Sequence, residues 1–172
     1  MRDGFYRQTA RVEGRHWWFR HRRRIVTALL DQEVPSPPGP DARALDVGCG
    51  TGGNLETIAR RGYMTVGGDR SPLALELARR SHREARLVCV DANRLGDSFA
   101  ADSFDLVTVL NVLYHEWIAD EGDVLDQIRR VLRPGGWLLL TEPAFESLRR
   151  RHDRIDAGLR RYSRRRLACL SK

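Results

Sequence analysis

Apolar residues recur along this chain with different spacings, and the switches between them mark its elements. From Gly14 to Asp31, the residues Trp18, Ile25, Val26, Leu29 and Leu30 return near a 3.6-residue period among arginines, which predicts a helix. It ends at Pro35-Ser36-Pro37-Pro38-Gly39-Pro40, a run that cannot continue a helix and reads as a stiff linker. Beyond it, short apolar runs of strand length stand at Ala42 to Val47, Met64 to Gly67, Arg86 to Val90, Phe104 to Leu110 and Trp137 to Thr141. Helical patterns lie between them, at Asn54 to Arg61, Ser71 to Arg80 and Asp123 to Leu132. Ser71 stands where an N-cap belongs, with Pro72 at the first helical position. Val124, Leu125, Ile128, Val131 and Leu132 share one face of the last helix, and Arg133-Pro134-Gly135-Gly136 should stop it and turn the chain into the final strand.

Strands that are apolar on both faces and alternate with helices predict an α/β fold: a doubly wound, mostly parallel, Rossmann-like sheet with helices on both faces. A length of 172 residues suits one domain. Its expected parts are an N-terminal helical segment (1–34), the proline-rich linker (35–40), a ligand-binding core (41–143) and a basic C-terminal segment (144–172).

The net charge of +7 changes meaning once it is divided along the chain. Residues 31–146 carry 12 basic and 19 acidic groups, a balance of −7, whereas the two ends carry 18 and 4, a balance of +14. The basicity belongs to the ends, is nearly all arginine, and accompanies no nucleic-acid-binding motif, so it reads as solvated surface and nucleic acid is not an expected partner. No apolar stretch approaches the roughly 20 residues needed to span a bilayer, and no signal-peptide pattern opens the chain. The expected location is the cytoplasm. Cys49, Cys89 and Cys169 are scattered without the close pairing of a metal site, and no metal is expected.

The stretch "LDVGCGTGGNL", Leu45 to Leu55, carries the candidate chemistry. A strand that ends in a glycine-rich turn opening a helix places backbone N–H groups, and the positive end of the helix dipole, at the carboxyl edge of the sheet. Gly48, Gly50 and Gly53 fit a dinucleotide loop, while Gly48, Gly50 and Gly52 behind Asp46 fit a tighter template. Asp46 would repel a pyrophosphate but suits a ligand carrying an ammonium and a sulfonium group. Asp69 closes the next strand, where a carboxylate can accept hydrogen bonds from ribose hydroxyls. Asp91 ends the strand after that, where an acceptor can read an adenine amino group.

Together "ALDVGCGTGGNL", "VGGDRSPLAL", "CVDANRL", "FDLVTVLNVLYHE" and "IRRVLRPGGWLLLTEP" resemble, in this order and spacing, the successive motifs of class I S-adenosylmethionine-dependent methyltransferases of the small-molecule type. The likeness runs from Ala42 to Pro143. "HWWFRHRR" and "HDRIDAGLRRYSRRRL" resemble the flanks of one branch, although a histidine often found between its His-Asp and Arg-Tyr pairs is replaced here around Ala157 and Gly158. The resemblance implies S-adenosylmethionine as cofactor and a small-molecule methyl acceptor. It further implies that Gly48, Gly50 and Gly52 pack against ribose and methionine, with Cys49 and Arg70 in the same set. Asp46 would position the amino-acid end and Asp69 hold the ribose, with Asp91 and Ala92 bordering adenine and Leu110 and Asn111 facing the methionyl side.

His115, in "NVLYHEW", stands where a base would hang; the alternative is a structural imidazole at a helix terminus. Trp17 and Tyr114 are candidates for the acceptor side, and Arg161 and Tyr162 for a phosphorylated or carboxylated acceptor. The His16–Phe19 segment reads as a lid, as an interfacial anchor touching a membrane surface, or as aromatics packed on the sheet. Members of the resembled family usually finish with two more strands, so a five-stranded sheet lacking its terminal hairpin is expected. Trp137 to Thr141 would then lie at an edge open to a second copy. Two other readings stay open: a cofactor-binding protein without transferase activity, and an NAD-dependent oxidoreductase, which Gly53 favours and Asp46 opposes.

Overall fold

The structure, a computed structural model, describes residues 3–148 and 159–170. Helix α1 (Asp3–Val12) and helix α2 (Trp17–Glu33) precede strand β1 (Arg43–Val47). There follow α3 (Leu55–Arg60), β2 (Met64–Asp69), α4 (Pro72–Ser81) and β3 (Arg86–Cys89), then a 3₁₀ segment (Ala92–Asp97). After it come β4 (Phe104–Leu110), α5 (Glu121–Val131), β5 (Leu132–Thr141), a short 3₁₀ turn (Glu146–Leu148) and α6 (Arg164–Leu170). The five strands form one parallel sheet in the order β3-β2-β1-β4-β5. The order reverses at β1 and β4, which opens a crevice at their carboxyl ends.

Alternation along the strands builds two apolar layers. Ala44, Leu106, Leu110 and Leu139 meet Val26 and Leu30 of α2 and Ile58 of α3 on one face. Leu45, Val47, Val107 and Val109 meet Val124, Leu125 and Ile128 of α5 on the other. Side chains one position apart thus enter opposite layers, which is why these strands read as unbroken apolar runs.

Helix ends are satisfied by side chains, two from the capping residue and one from a distant arginine. The Ser71 hydroxyl accepts from Ala74 N at 3.3 Å, with Pro72 following it. Asp120 Oδ1 accepts from Gly122 N at 2.7 Å and Asp123 N at 3.1 Å to start α5 two residues before the expected position. At the end of α2, Arg61 Nη2 donates to Leu30 O and Val34 O, both at 2.8 Å. These groups relieve backbone N–H and C=O groups that a helix terminus leaves without partners.

Three differences from the sequence reading have physical causes. Residues 13–15 form a turn, so α2 starts at Trp17, capped by the His16 side chain accepting from Trp18 N at 3.3 Å. An additional helix, α1, precedes it. Arg133–Gly136 does not end the pairing: Phe104 pairs with Leu132 and Leu106 with Trp137, so the intervening residues loop out and β5 begins earlier. Gly135, at φ 79°, takes the left-handed position in that excursion. Arg133 Nη1 grips both oxygens of Asp105, at 2.8 and 2.7 Å, and Asp105 Oδ2 also accepts from Arg43 N at 2.8 Å.

β5 is the outermost strand, and an apolar groove of about 700 Å³ separates it from α6. Among the described residues no helix is long and apolar enough to cross a membrane. Leu106 has no exposed surface and lies in the layer between the sheet and α2 and α3. Leu106→Ala is expected to lower stability by about 2–5 kcal/mol, read as a shifted urea midpoint with an unchanged slope.

Candidate active site

The turn after β1 is tied to the end of β2 by backbone groups. Gly48 N and Cys49 N donate to Gly68 O at 2.7 and 3.0 Å, and Gly50 N donates to Asp69 Oδ2 at 2.9 Å. Asp69 Oδ1 accepts from Ser71 N at 2.8 Å, so both oxygens of this carboxylate are oriented by amides. Gly50 and Gly52 have φ of 57° and 90°. A Cβ on Gly50 would meet nothing within 4 Å, because that side of the loop is open cavity. A Cβ on Gly52 would lie 2.5 Å from His82 Cδ2, so this glycine allows the loop to pack on the end of α4.

Over the loop lies a cavity of about 370 Å³. Its floor is Gly48–Thr51 and Asp69; α1 contributes Tyr6, the turn after it Glu13, α2 contributes Trp18, Phe19 and Arg22, and the segment after β4 contributes Asn111, Tyr114, His115 and Trp117. A larger hollow of about 880 Å³ lies at the opposite end of the sheet, beside Arg43, Met64, Arg86 and Phe104 at the strand starts. Ligands of such sheets bind at the carboxyl ends, where the amides point outward, and the smaller cavity is the candidate site.

Of the residues singled out from sequence, Gly48, Cys49, Gly50, Asp69, Leu110, Asn111, Tyr114, His115 and Arg161 line this cavity. Gly52 packs on α4 instead. Asp46 sits behind the wall, 2% exposed, with Oδ1 accepting from the Thr108 hydroxyl at 2.6 Å. Arg70 lies over the ring of Trp117, 4.9 Å from its centroid. Asp91 is exposed, and Ala92 is buried beside it; Asp91 Oδ1 accepts from Asn93 Nδ2 at 2.6 Å, and that amide also donates to Trp117 O at 3.2 Å. Neither Asp91 nor Ala92 lines the cavity.

Two acceptor-side expectations shift. Trp17 is 70% exposed and stacks on His16, while its neighbours Trp18 and Phe19 face the cavity, because the cap at His16 sets the rotation of α2. Tyr162 is buried away from the cavity, its hydroxyl 3.0 Å from Leu113 O and 2.9 Å from Glu121 Oε1. Arg161 lines the cavity and donates from Nη1 to Ala144 O at 2.8 Å. His115 is held between the rings of Tyr114 and Trp117, with centroids at 4.1 and 5.5 Å. The His152-Asp153 pair lies outside the described residues.

Sequence reasoning missed Tyr6, Glu13, Arg22 and Glu142. Glu13 Oε2 accepts from the Thr51 hydroxyl at 2.8 Å, fastening the segment after α1 to the glycine loop. Tyr6 bonds the Ser71 side chain; burial, with Asp69 nearby, pushes its phenol well up. Arg22 Nη2 reaches Leu110 O at 3.4 Å, and Trp18 lies against its guanidinium at 4.7 Å. The spacing of Phe5, Tyr6, Thr9 and Glu13 at helical intervals was the one signal available for α1.

The charges are crowded and poorly hydrated. Burial pushes the Asp46 carboxyl up to about 7 against the opposing pull of Thr108 and Arg22. Burial also pushes Glu142 up to about 7, despite three backbone N–H groups and Arg22, and raises Asp69 despite its two amides. The Cys49 thiol is driven up by burial and by the two aspartates, so it remains neutral. Among the described residues Asp46 Oδ2 is buried without a hydrogen-bond partner. An open glycine face, an oriented carboxylate, an orphaned buried oxygen and a half-sheltered guanidinium fit a ligand that combines hydroxyls, a cation and a carboxylate.

Residues 45–140 match the family described as a methyltransferase domain. The chain is 38% identical over 135 residues to the ubiquinone biosynthesis O-methyltransferase of Hahella chejuensis, covering 73% of this chain and 55% of that protein. It spans about half, or less, of the length of the first curated relatives it matches. Among solved structures it is similar to the [4+2]-cyclase SpnF, with a TM-score of 0.72 and 27% identity over 92% of this chain and 59% of that one. It is also similar to phosphoethanolamine N-methyltransferase 2 of Haemonchus contortus in complex with S-adenosyl-L-methionine, with a TM-score of 0.68 and 25% identity over 84% of this chain and 34% of that one.

The raised Asp46 carboxyl has a signed consequence for stability. A carboxyl whose folded value lies above its ordinary 3.8 makes its full contribution below that value, and the contribution is lost as pH rises to and through about 7. Asp46→Asn keeps the acceptor for Thr108 and removes the buried charge. The variant's melting temperature relative to the parent chain is therefore expected to rise from about pH 4 to about pH 7 and to level off above it, as scanning calorimetry would read. A difference that stays constant with pH overturns this assignment.

Proposed function

The chain belongs to the class I S-adenosylmethionine-dependent methyltransferases, and on that premise we propose that it binds S-adenosylmethionine over the Gly48–Gly52 loop and methylates a small-molecule acceptor. The observation that carries this reading is the pairing of Asp69 with Gly50. Two amides fix the carboxylate, and a carboxylate has roughly four acceptor sites, which leaves capacity for two ribose hydroxyls. The missing Cβ of Gly50 keeps the adjoining floor clear.

The other groups divide the ligand by charge. Arg22, reaching into the cavity from α2, suits the cofactor's carboxylate, and the negative field of Asp46 behind the loop suits its ammonium and sulfonium groups. Asp91 and Ala92 belong to the adenine end through Asn93 and Trp117, and Arg70 covers that end from above the indole. When bound, the cofactor supplies a methyl group already activated by its positive sulfur. The protein's task is then orientation and the exclusion of water. Trp18, Phe19, Tyr114 and Trp117 make an apolar wall suited to both.

An oxygen acceptor is the finer reading supported by the relative's name. A hydroxyl that becomes an ether must lose a proton, and His115, lining the same wall, is the group placed to take it. Arg161 is the candidate contact for an anionic acceptor. A second reading, cofactor binding without methyl transfer, is favoured by the likeness to the [4+2]-cyclase SpnF, since this architecture serves more than one reaction.

Calorimetry with S-adenosylmethionine, S-adenosylhomocysteine and NAD separates the readings. Both adenosyl ligands are expected to bind and NAD is not. Asp69→Ala is expected to weaken S-adenosylhomocysteine about tenfold or more, which corresponds to about 1.4 kcal/mol. Binding of NAD alone, or indifference to the loss of Asp69, overturns the proposal. Release of labelled methyl into an acceptor pool distinguishes transfer from binding. Where an acceptor is methylated, His115→Ala is expected to lower turnover about a hundredfold and to remove its acid limb.

A further inference from the structure

The segment after β4, residues 112–118, carries Tyr114, His115 and Trp117 into the cavity, yet it is neither helix nor strand. Its buried backbone groups therefore need partners from elsewhere. On the amide side, Glu142 supplies them: Oε1 accepts from Val112 N at 2.9 Å and Leu113 N at 2.7 Å, and Oε2 accepts from Tyr114 N at 3.3 Å. On the carbonyl side, Arg160 supplies them: Nη1 donates to His115 O and Ile118 O at 3.2 Å, and Nη2 donates to Ile118 O at 3.2 Å. Leu159 N donates to Tyr114 O at 2.8 Å, and the Tyr162 hydroxyl stands 3.0 Å from Leu113 O.

These two side chains grip opposite poles of one loop. Glu142 follows directly on β5, so its position is fixed by the sheet. Arg160 is steadied by Glu121 at the start of α5, whose Oε1 lies 3.7 Å from Arg160 Nε and 2.8 Å from Arg166 Nη2. We propose that Glu142 and Arg160 are paired positioning residues, and that docking of the segment 159–162 shapes the wall carrying Tyr114 and His115. Arg160 and Tyr162, from the Arg-Arg-Tyr run, thus act on the site through the backbone of another segment. Assigning that wall to the methyl acceptor rests on the methyltransferase reading; the clamp itself does not.

The test is amide hydrogen exchange on the full chain without ligand, comparing the peptide spanning 111–118 with peptides from β1 and β4. Arg160→Ala and Glu142→Ala are each expected to speed exchange in 111–118 by about tenfold or more, while β1 and β4 change much less. Glu142→Gln is expected to restore protection at Val112 and Leu113 but not at Tyr114, because its amide nitrogen cannot accept. Arg160→Lys is expected to fail, since an ammonium lacks the planar fork that spans two carbonyls, whereas millimolar guanidinium ion partly rescues Arg160→Ala. Unchanged exchange in 111–118, an equal rise in all three peptides, or full rescue by lysine overturns the proposal. If Glu142→Ala does not fold, the residue-level pattern in Glu142→Gln decides its half. A parent chain that ignores S-adenosylhomocysteine sinks the methyltransferase reading and leaves the exchange result standing.

Discussion

The carboxyl edge of the sheet depends on one constraint: the backbone leaving β1 must bend at once toward the end of β2 and remain there. Gly68 O draws in the amides of residues 48 and 49, and the Asp69 carboxylate takes that of residue 50. Each bond is ordinary, but together they stack three successive N–H groups against one strand end. Left-handed backbone is the geometric result, and L residues with side chains resist it. Once the loop is held, the start of α3, the placement of Asp69 and the floor of the cavity follow without further specification. The same carboxylate orients Ser71 N, so the cap of α4 is built on the group that faces the cavity.

What was legible in the sequence is what local spacing determines. Strands covered on both faces by helices must be apolar at nearly every position, so β1 and β4 stood out. The glycine loop and Asp69 were legible because each has a role set within a few residues of a strand end. α1 was not: none of its residues is fully buried, and its place comes from packing against α4. The early start of β5 was hidden because Pro134 and the two glycines do turn the chain, but the turn is an excursion between two paired positions. The periodicity did put Trp18 rather than Trp17 on the apolar face of its helix, and the structure follows the periodicity and not the assignment of Trp17 to the acceptor side.

The remaining site residues were invisible for a related reason. Arg22 meets a carbonyl 88 positions away, Glu13 a hydroxyl 38 away, and Glu142 an amide 30 away. No periodicity connects such positions, and each residue taken singly looks like one more charge on a highly charged chain. Tyr162 illustrates the converse. A tyrosine beside arginines suggested contact with a ligand, whereas its hydroxyl is engaged by Leu113 and Glu121.

Charge connects these pieces. The middle of the chain is acidic, and the fold puts Asp69 in the cavity floor and brings Asp46 and Glu142 within the field of Arg22, which enters the cavity from the basic head. Burial, joined at Asp46 by the nearby charge of Asp69, pushes Asp46 and Glu142 to about 7, so below neutrality the protein retains protons there that the unfolded chain would have released. A cation entering the cavity favours the ionised forms and displaces those protons, and an uncharged ligand of the same shape does not. Asp46 stands behind the cavity wall, so a positive charge in the cavity acts on it through the poorly hydrated interior rather than through contact. Desolvation has raised the sensitivity of the site to a single positive charge, which a solvent-exposed cluster of the same acids would screen away.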